Sequence, residues 1–338
     1  MPGFVTRMLA LRRKRGVPPP VFVSCDNVAS NGATLRACVS AFARALDPAL
    51  ADAIERETRF PDTMVDRIVP ATRPEDLDRF AAETGLRDAA LAVAEPFRMW
   101  VIEDAAAAPL PAWAAAGAIF VRDVAPYETL KMRVVNGIQS NLCQLGALDG
   151  VAFMADVMAD PVFSAFAERT IRREVLPHLP PVPGIDTSAY LEQTLRRLKN
   201  PDLRHGTAQI STDGSQKIRQ RLVEPLRAAR TAGTPFAGLA LGLAGWIEHA
   251  SAVDRAGRKI AFEDPLAAEA RAIADATIGD PAARVRGFLG LAKVFPADIG
   301  QDAVLVETLA RMVAELGRRP ARDAVRGVLD AGTVVYRS

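Results

Sequence analysis

Tyr127-Glu128-Thr129-Leu130-Lys131-Met132-Arg133-Val134-Val135-Asn136-Gly137-Ile138-Gln139 opens a stretch that is helical in period almost to the end of the chain. Apolar residues recur three and four apart through Tyr127 to Leu145, Ala155 to Val175, Ser188 to Leu198, Ser215 to Thr231 and Pro235 to Ala252. The same spacing continues through Pro265 to Ala276, Pro281 to Ala292 and Asp302 to Leu316, with Pro177 to Pro183 as the longest irregular connector. Upstream the pattern changes. Val5 to Gly16 reads as a helix ending in basic residues and a glycine, Pro18-Pro19-Pro20 breaks the chain, and Val21 to Cys25 reads as a short buried strand. Asp26-Asn27 closes that strand, and Asn31-Gly32 precedes an amphipathic helix over Leu35 to Leu46. Strand-like runs follow at Met64 to Val69, Met99 to Ile102 and Ala118 to Val121, and the alanine patch Ala105 to Ala108 reads as a loop. The expected fold class is α+β and mostly α-helical: the remnant of an α/β domain followed by a large helical domain.

Composition bounds the function. Of 338 residues, 49% are hydrophobic and 24% charged, the balance of a globular protein with a sizeable core. A net charge of +2 gives no reason to expect nucleic acid or an anionic membrane as partner, and the basic run Arg12-Arg13-Lys14-Arg15 reads as a solvated helix end. The three cysteines, Cys25, Cys38 and Cys143, form no CxxC pair, so neither a disulfide framework nor a metal site is expected. Arg7 and Arg12 interrupt the N-terminal hydrophobic run, and the longest apolar stretch, Phe236 to Ile247, is too short to span a bilayer. A cytoplasmic protein is therefore expected. There is no GxGxxG after a strand and no P-loop, and Gly238, Gly242 and Gly245 are spaced for close helix packing.

Taken as one helix, the opening segment puts Glu128, Lys131 and Gln139 on one face, with Asn136 at its margin. A lysine partly buried beside polar groups can act as a general base, and an asparagine nearby can donate its amide to an oxygen that gains charge. Gly137 would let a substrate approach the backbone. On spacing alone, however, this is a mixed polar helix face.

Several segments resemble the polyol-specific long-chain dehydrogenases of the mannitol dehydrogenase and fructuronate reductase type. They are Ser24-Cys25-Asp26-Asn27 with Asn31-Gly32, Phe60 to Pro70, Glu95 to Asp104, Lys131 to Gly137, Asn200-Pro201 with His205, and Gln209 to Lys217. The resemblance implies that Lys131 is the general base, that Asn27 and Asn136 polarise the reacting oxygen, and that Glu128 passes a proton to the base. It implies substrate contacts from Asp66, Gln139, His205 and Lys217, a cofactor NAD or NADP, and a polyol or sugar acid as the small-molecule partner. It implies a helical C-terminal domain like that of 6-phosphogluconate dehydrogenase-like enzymes, here over residues 91–338, after a residual Rossmann-type part over residues 1–90. No cofactor-binding residue is assigned.

Two features depart from the family pattern. Gln139 stands where the family has a histidine, and the Pro109-Leu110-Pro111 run replaces a Gly-Arg-Pro run. The sequence also reads as lacking most of the nucleotide-binding domain, so the chain alone is expected to bind NAD(H) poorly and to turn over no polyol, or to work with a separate nucleotide-binding chain. The alternative is a non-catalytic helical protein that binds a sugar acid or a partner. Asp66-Arg67 also reads as a local ion pair, Asn200-Pro201 as a turn, and Asp213-Gly214-Ser215 as a turn with a helix N-cap. His205 also reads as a hydrogen-bonded structural histidine, and His178 and His249 as structural or exposed ones.

Overall fold

The computed structural model describes residues 1–104, 111–250 and 262–331. Ala105 to Ala108, most of the Pro109-Leu110-Pro111 run and the last two residues of the Pro235 to Ala252 helix lie outside the described residues. The chain forms two compact units, Met1–Arg67 with Pro96–Thr129, and Ile68–Glu95 with Leu130–Ser338.

The first unit begins with helix α1 (Pro2–Lys14), which starts on a proline and ends on Arg12, Arg13 and Lys14, where cations suit the negative end of the helix dipole. Helix α2 (Asn31–Leu46) packs on it, and helix α3 (Pro48–Glu57) packs on α2. The Asp47 carboxylate between them caps α3 by accepting from the Ala49 amide at 2.9 Å. Val5, Leu9, Val39, Ala43, Leu50, Ala51 and Ile54 make the core of this helical layer, with Phe22 and Phe60 stacked beside it at 5.2 Å. Strands β1 (Thr63–Asp66), β2 (Met99–Glu103) and β3 (Ile119–Val121) form a mixed sheet in that order. β1 runs antiparallel to β2, with Thr63 opposite Ile102, and β3 parallel to β2, with Ile119 opposite Val101.

The expected strand over Val21 to Cys25 is not one. The segment is extended, but its polar groups are satisfied by other means than a ladder. Phe22 donates its amide to the Arg59 carbonyl, and the Ser24 carbonyl accepts from the side chains of Asn31 and Thr63. Side-chain partners at the carbonyl remove the need for a neighbouring strand there. Helix α2 also starts earlier than its periodicity suggests, at Asn31 itself. Gly32 in its first turn is packed so closely that a Cβ there would lie 2.4 Å from the carbonyl oxygens of both Phe60 and Pro61.

In the second unit, helix α4 (Pro74–Thr84) lies within a segment that returns at Glu95. The buried Glu95 carboxylate takes two hydrogen bonds from Arg197, at 2.9 and 2.7 Å, and one from the Ile68 amide at 2.6 Å. Helix α5 (Ala125–Arg133) leads into helix α6 (Val135–Leu148), which is buried along almost its whole length and packs on the helix Ala237–Ala250. The glycine stripe behaves as expected: a Cβ at Gly242 would lie 2.2 Å from Asn141 Oδ1, and one at Gly245 would lie 2.8 Å from Leu145 Cδ2. The buried Glu174 carboxylate accepts from the Gly238 and Leu239 amides, each at 2.9 Å, and burial pushes its carboxyl up to about 7.

Three helices are more broken than their periodicity suggests. The run from Tyr127 to Leu145 divides at Val134 (φ −95°, ψ −75°). Asp160-Pro161 splits Ala155 to Val175 into Met154–Ala159 and Pro161–Thr170, because the proline ring cannot sit inside a helix and Asp160 caps the new start through Val162 N at 2.8 Å. That run ends in a π-helical turn, Ile171–Val175, and a second, Arg219–Val223, interrupts Ser215 to Thr231. The helices Pro48–Glu57, Pro74–Thr84 and Ala321–Asp330 have no counterpart in the sequence reading. The last is capped from far away, by Asp149 accepting from Ala321 and Arg322 amides at 2.8 and 2.9 Å. The fold is mostly helical with one small sheet among the described residues, in line with the expected class.

Candidate active site

The first unit places Asn27 at the end of an extended segment whose shape is held by Asn31. The Asn31 side chain, 2% exposed, donates to the carbonyls of Ser24, Asp26 and Thr63 at 3.1, 3.0 and 3.0 Å and accepts from Thr63 N at 2.9 Å. One buried amide thus ties residues 24–26, the start of α2 and the start of β1 into a single hub. Glu128 accepts from the Ser30 amide, just before α2, at 3.1 Å. Asp66 is 1% exposed at the end of β1, opposite Met99. It lines a cleft of about 340 Å³ with Arg67, Arg98, Trp100 and Trp113, the two indoles lying 4.9 Å apart.

The second unit places Lys131 near the end of α5 and Asn136 and Gln139 in the first turns of α6, all three buried. Asn136 Nδ2 donates to Gln139 Oε1 at 3.2 Å, and Gln139 Nε2 lies 3.4 Å from His205 Nδ1. Asn136 Oδ1 is buried with no hydrogen-bond partner among the described residues. Burial, and then the Lys217 charge, hold the His205 imidazole down to about 4, so the ring is neutral at physiological pH. Lys217 donates to the Thr212 carbonyl, and burial beside Arg221 pulls its ammonium below the usual lysine range. Arg221, itself buried and lowered to about 10, donates to Ser140 Oγ at 3.1 Å. Cys143 is buried and pushed up to about 11, the state of an inert thiol.

Some expectations need correction. The break at Val134 means that Glu128, Lys131 and Gln139 do not share one straight helix, so the single-face reading fails at a pair of β-branched residues whose backbone turns. Gly137 does not open the backbone to a substrate. It faces the carbonyls of Arg221 and Met132, where a Cβ would sit at 3.5 and 3.6 Å, in ordinary contact. The Asp213-Gly214-Ser215 turn does precede a helix, Gly214–Ile218, but Asp213 is left-handed (φ +53°) and does not cap it. The Asp264 carboxylate takes the Ser215 amide instead, at 2.7 Å. Asn200 makes a local turn by accepting from Asp202 N at 3.1 Å. His178 bonds Thr234 Oγ1 at 2.8 Å, and His249 is buried. Among the described residues no group of three or more His, Cys, Asp or Glu is placed to hold a metal ion.

Sequence reasoning passed over Asn31 as a structural hub and did not select Arg221, Ser140 or Glu174. The signal for Asn31 was present, as a buried-type asparagine followed by a glycine. Arg221 and Glu174 carried none, since each lies in a π-helical turn that periodicity does not reveal.

The second half of the chain, residues 123–317, matches the family profile described as the mannitol dehydrogenase C-terminal domain, and residues 1–115 match the mannitol dehydrogenase Rossmann domain. The chain belongs to the mannitol dehydrogenase family. It is 41% identical over 323 residues to D-mannonate oxidoreductase of Escherichia coli (strain K12), covering 96% of this chain and 66% of that protein. It is 32% identical over 319 residues to a mannitol 2-dehydrogenase of Emericella nidulans, covering 94% of this chain and 63% of that protein. Among solved structures, the ternary complex of Pseudomonas fluorescens mannitol 2-dehydrogenase with NAD and D-mannitol superposes with a TM-score of 0.87 at 31% identity, over 98% of this chain and 66% of that one. The chain thus spans about two thirds of the length of the relatives it matches. The match to the Rossmann profile from residue 1 to residue 115 overturns the expectation of a chain lacking most of that domain. Nothing in the comparisons supports the expected incompetence. No helix among the described residues is long and apolar enough to cross a membrane.

Proposed function

We propose that this mannitol dehydrogenase family chain serves the interconversion of a polyol or aldonate with its ketose or keto-uronate, mannitol with fructose or mannonate with fructuronate being the model pairs. The observation that carries the reading is the hydrogen-bonded set of buried Asn136, buried Gln139 and half-buried His205, with the buried Lys131 on the adjoining helix α5. Buried polar groups without full satisfaction are costly, about 1–3 kcal/mol for an orphaned atom, and Asn136 Oδ1 is one. A substrate hydroxyl that donates its O–H to that oxygen would remove the penalty.

In this reading Lys131 takes the proton of the reacting hydroxyl, and Asn136, with Asn27, donates to the oxygen as it gains charge. Glu128 carries protons towards the base, and Asp66 and Lys217 contribute to holding the substrate. The nicotinamide, NAD in the Pseudomonas complex, supplies the hydride acceptor when bound. A dinucleotide also needs a glycine-rich helix start for its pyrophosphate. The starts of α1, α2 and α3 do not offer one: α1 and α3 begin at prolines, and Gly32 of α2 is packed onto the carbonyls of Phe60 and Pro61. No step on the cofactor side is therefore assigned to these residues.

The test is turnover by the purified chain of mannonate with fructuronate and of mannitol with fructose, with NAD(H) and with NADP(H), followed by the absorbance of the reduced cofactor. Turnover lost at least a thousandfold in Lys131→Met, with the fold intact by circular dichroism, supports the reading; a Lys131→Met chain as active as the parent refutes it. Saturable sugar-acid binding without turnover would favour the non-catalytic reading instead.

A further inference from the structure

Asn136, Gln139 and His205 form a hydrogen-bonded chain in which each member is both a donor and an acceptor. Such a chain has two polarities of the same shape, related by half-turns of the two amides and a tautomer exchange in the imidazole. In the first, Asn136 donates to Gln139, Gln139 donates to His205 Nδ1, and the atom of Asn136 left without a partner is its carbonyl oxygen. In the second, His205 Nδ1–H donates to Gln139 Oε1, Gln139 Nε2 donates to Asn136 Oδ1, and the unpartnered atom of Asn136 is its N–H. The two states greet opposite ligands. A carbonyl oxygen accepts from an alcohol O–H, whereas an N–H donates to an alkoxide or ketone oxygen. A substrate whose hydroxyl gives up its proton to Lys131 changes from the first kind of partner to the second.

We propose that Gln139 and His205 are positioning residues that set which edge of the Asn136 amide faces the substrate oxygen, the Nδ1–H tautomer of His205 presenting the N–H. The proposal rests on the oxidoreductase reading above for its substrate, but the relay itself lies wholly within the second unit. Glutamine suits the middle position because it passes either polarity without titrating. A cationic His205 would donate from both nitrogens and lock the relay. Its burial beside Lys217, the charged group that bears on it most, keeps it neutral and able to exchange tautomers.

Long-range 1H–15N spectra of the full chain labelled with 15N-histidine read the relay directly, because the chain has three histidines. At pH 7 the substrate-free chain is expected to hold His205 as the neutral Nε2–H tautomer that the observed polarity requires, and saturating fructose or fructuronate, whose ketone oxygen calls for the Asn136 N–H, is expected to switch it to Nδ1–H in the parent but not in Gln139→Leu. Unchanged signals of His178 and His249 report that the variant is folded. A His205 tautomer that the ketone leaves unchanged in the parent, or a switch that persists in Gln139→Leu, overturns the proposal. In turnover, His205→Leu is expected to lower kcat about tenfold with KM little changed, part of what removal of a whole oxyanion donor costs. His205→Asn, whose amide N–H stands where Nδ1–H stood, is expected to restore most of it; equal losses in both variants overturn the proposal. A chain that turns over no polyol yet shows the ketone-induced switch, and its loss in Gln139→Leu, would refute the functional reading and leave the relay standing.

Discussion

Replacing Gly32 with alanine is predicted to be far more damaging than its one added methyl suggests. The new Cβ would lie 2.4 Å from two backbone oxygens and 2.6 Å from the Pro61 carbonyl carbon, none of which can swing aside as a side-chain tip can. The first turn of α2 must retreat by about 1 Å to restore ordinary contact, an overpacking strain worth about 1–3 kcal/mol. That retreat stretches the Asn31 hub and the bond from Ala33 N to the Asp62 carboxylate at 2.9 Å. Loosening two or three such bonds adds about 1 kcal/mol each, while the gain in helix propensity returns at most about 1 kcal/mol. The expected net loss is about 2–5 kcal/mol, placed in the first unit. Urea unfolding followed by tryptophan fluorescence measures the loss, and hydrogen exchange locates it. Exchange should quicken at residues 24–33 and 60–63 before it does in α6. Because the hub holds the segment that ends at Asn27, turnover should fall as well. Stability within about 0.5 kcal/mol of the parent, a typical scatter for harmless surface changes, with unchanged exchange around Thr63, would refute the reasoning.

The other predictions concern the second unit. Glu95→Gln breaks a buried ion pair held by Arg197 at 2.9 and 2.7 Å, and should cost about 3–5 kcal/mol in urea unfolding; a loss under about 1 kcal/mol would show the pair to be solvated. Gly137→Ala, whose Cβ meets only ordinary contacts at 3.5 and 3.6 Å, should leave stability unchanged or raise it by up to about 1 kcal/mol; a large drop in turnover at unchanged stability would restore the substrate-approach role denied to it here. Glu174 titrates at about 7 when folded against 4.5 as a free side chain, so its protonated form is the one the folded chain favours. The stability it contributes is complete below pH 4.5, declines as the pH rises from there to about 7, and changes no further above that. The total change is on the order of 3 kcal/mol. His205 and His249, both held to about 4, slope the opposite way below pH 6.5. The difference in unfolding free energy between the parent and Glu174→Gln is therefore the quantity to follow, and a difference independent of pH would remove Glu174 as the cause.

Much of the fold was legible because it rests on local pattern. The helices after Tyr127 follow from apolar spacing, α1 from a proline start and a basic end, and β1 to β3 from short β-branched runs. The Gly238, Gly242 and Gly245 stripe announced close helix packing, which the contacts with Thr170, Asn141 and Leu145 bear out. Strand-like composition misled at Val21 to Cys25, where side chains from Asn31 and Thr63 take the place of a ladder. Periodicity also ran straight through Val134, Asp160 and the two π-helical turns, because a change in hydrogen-bond register leaves the apolar spacing almost intact.

By itself the sequence determined which chemical groups the chain carries: a lysine with asparagine and glutamine downstream in the Lys131 to Gln139 stretch, and motifs specific enough to point to the family. Those are matters of residue identity and spacing, which survive without coordinates. Only the tertiary structure decided what each group can do. Asn31 became a hub because four backbone groups, on residues 24–26 and on Thr63, converge on one buried amide. Glu174 moved towards neutrality because the fold buries it, against the opposing pull of the Gly238 and Leu239 amides. Gln139 came to stand between Asn136 and His205, a residue 66 positions away, where an amide can pass a hydrogen bond in either direction. Burial and long-range pairing set hydrogen-bond polarity and pKa, and neither is written in spacing along the chain.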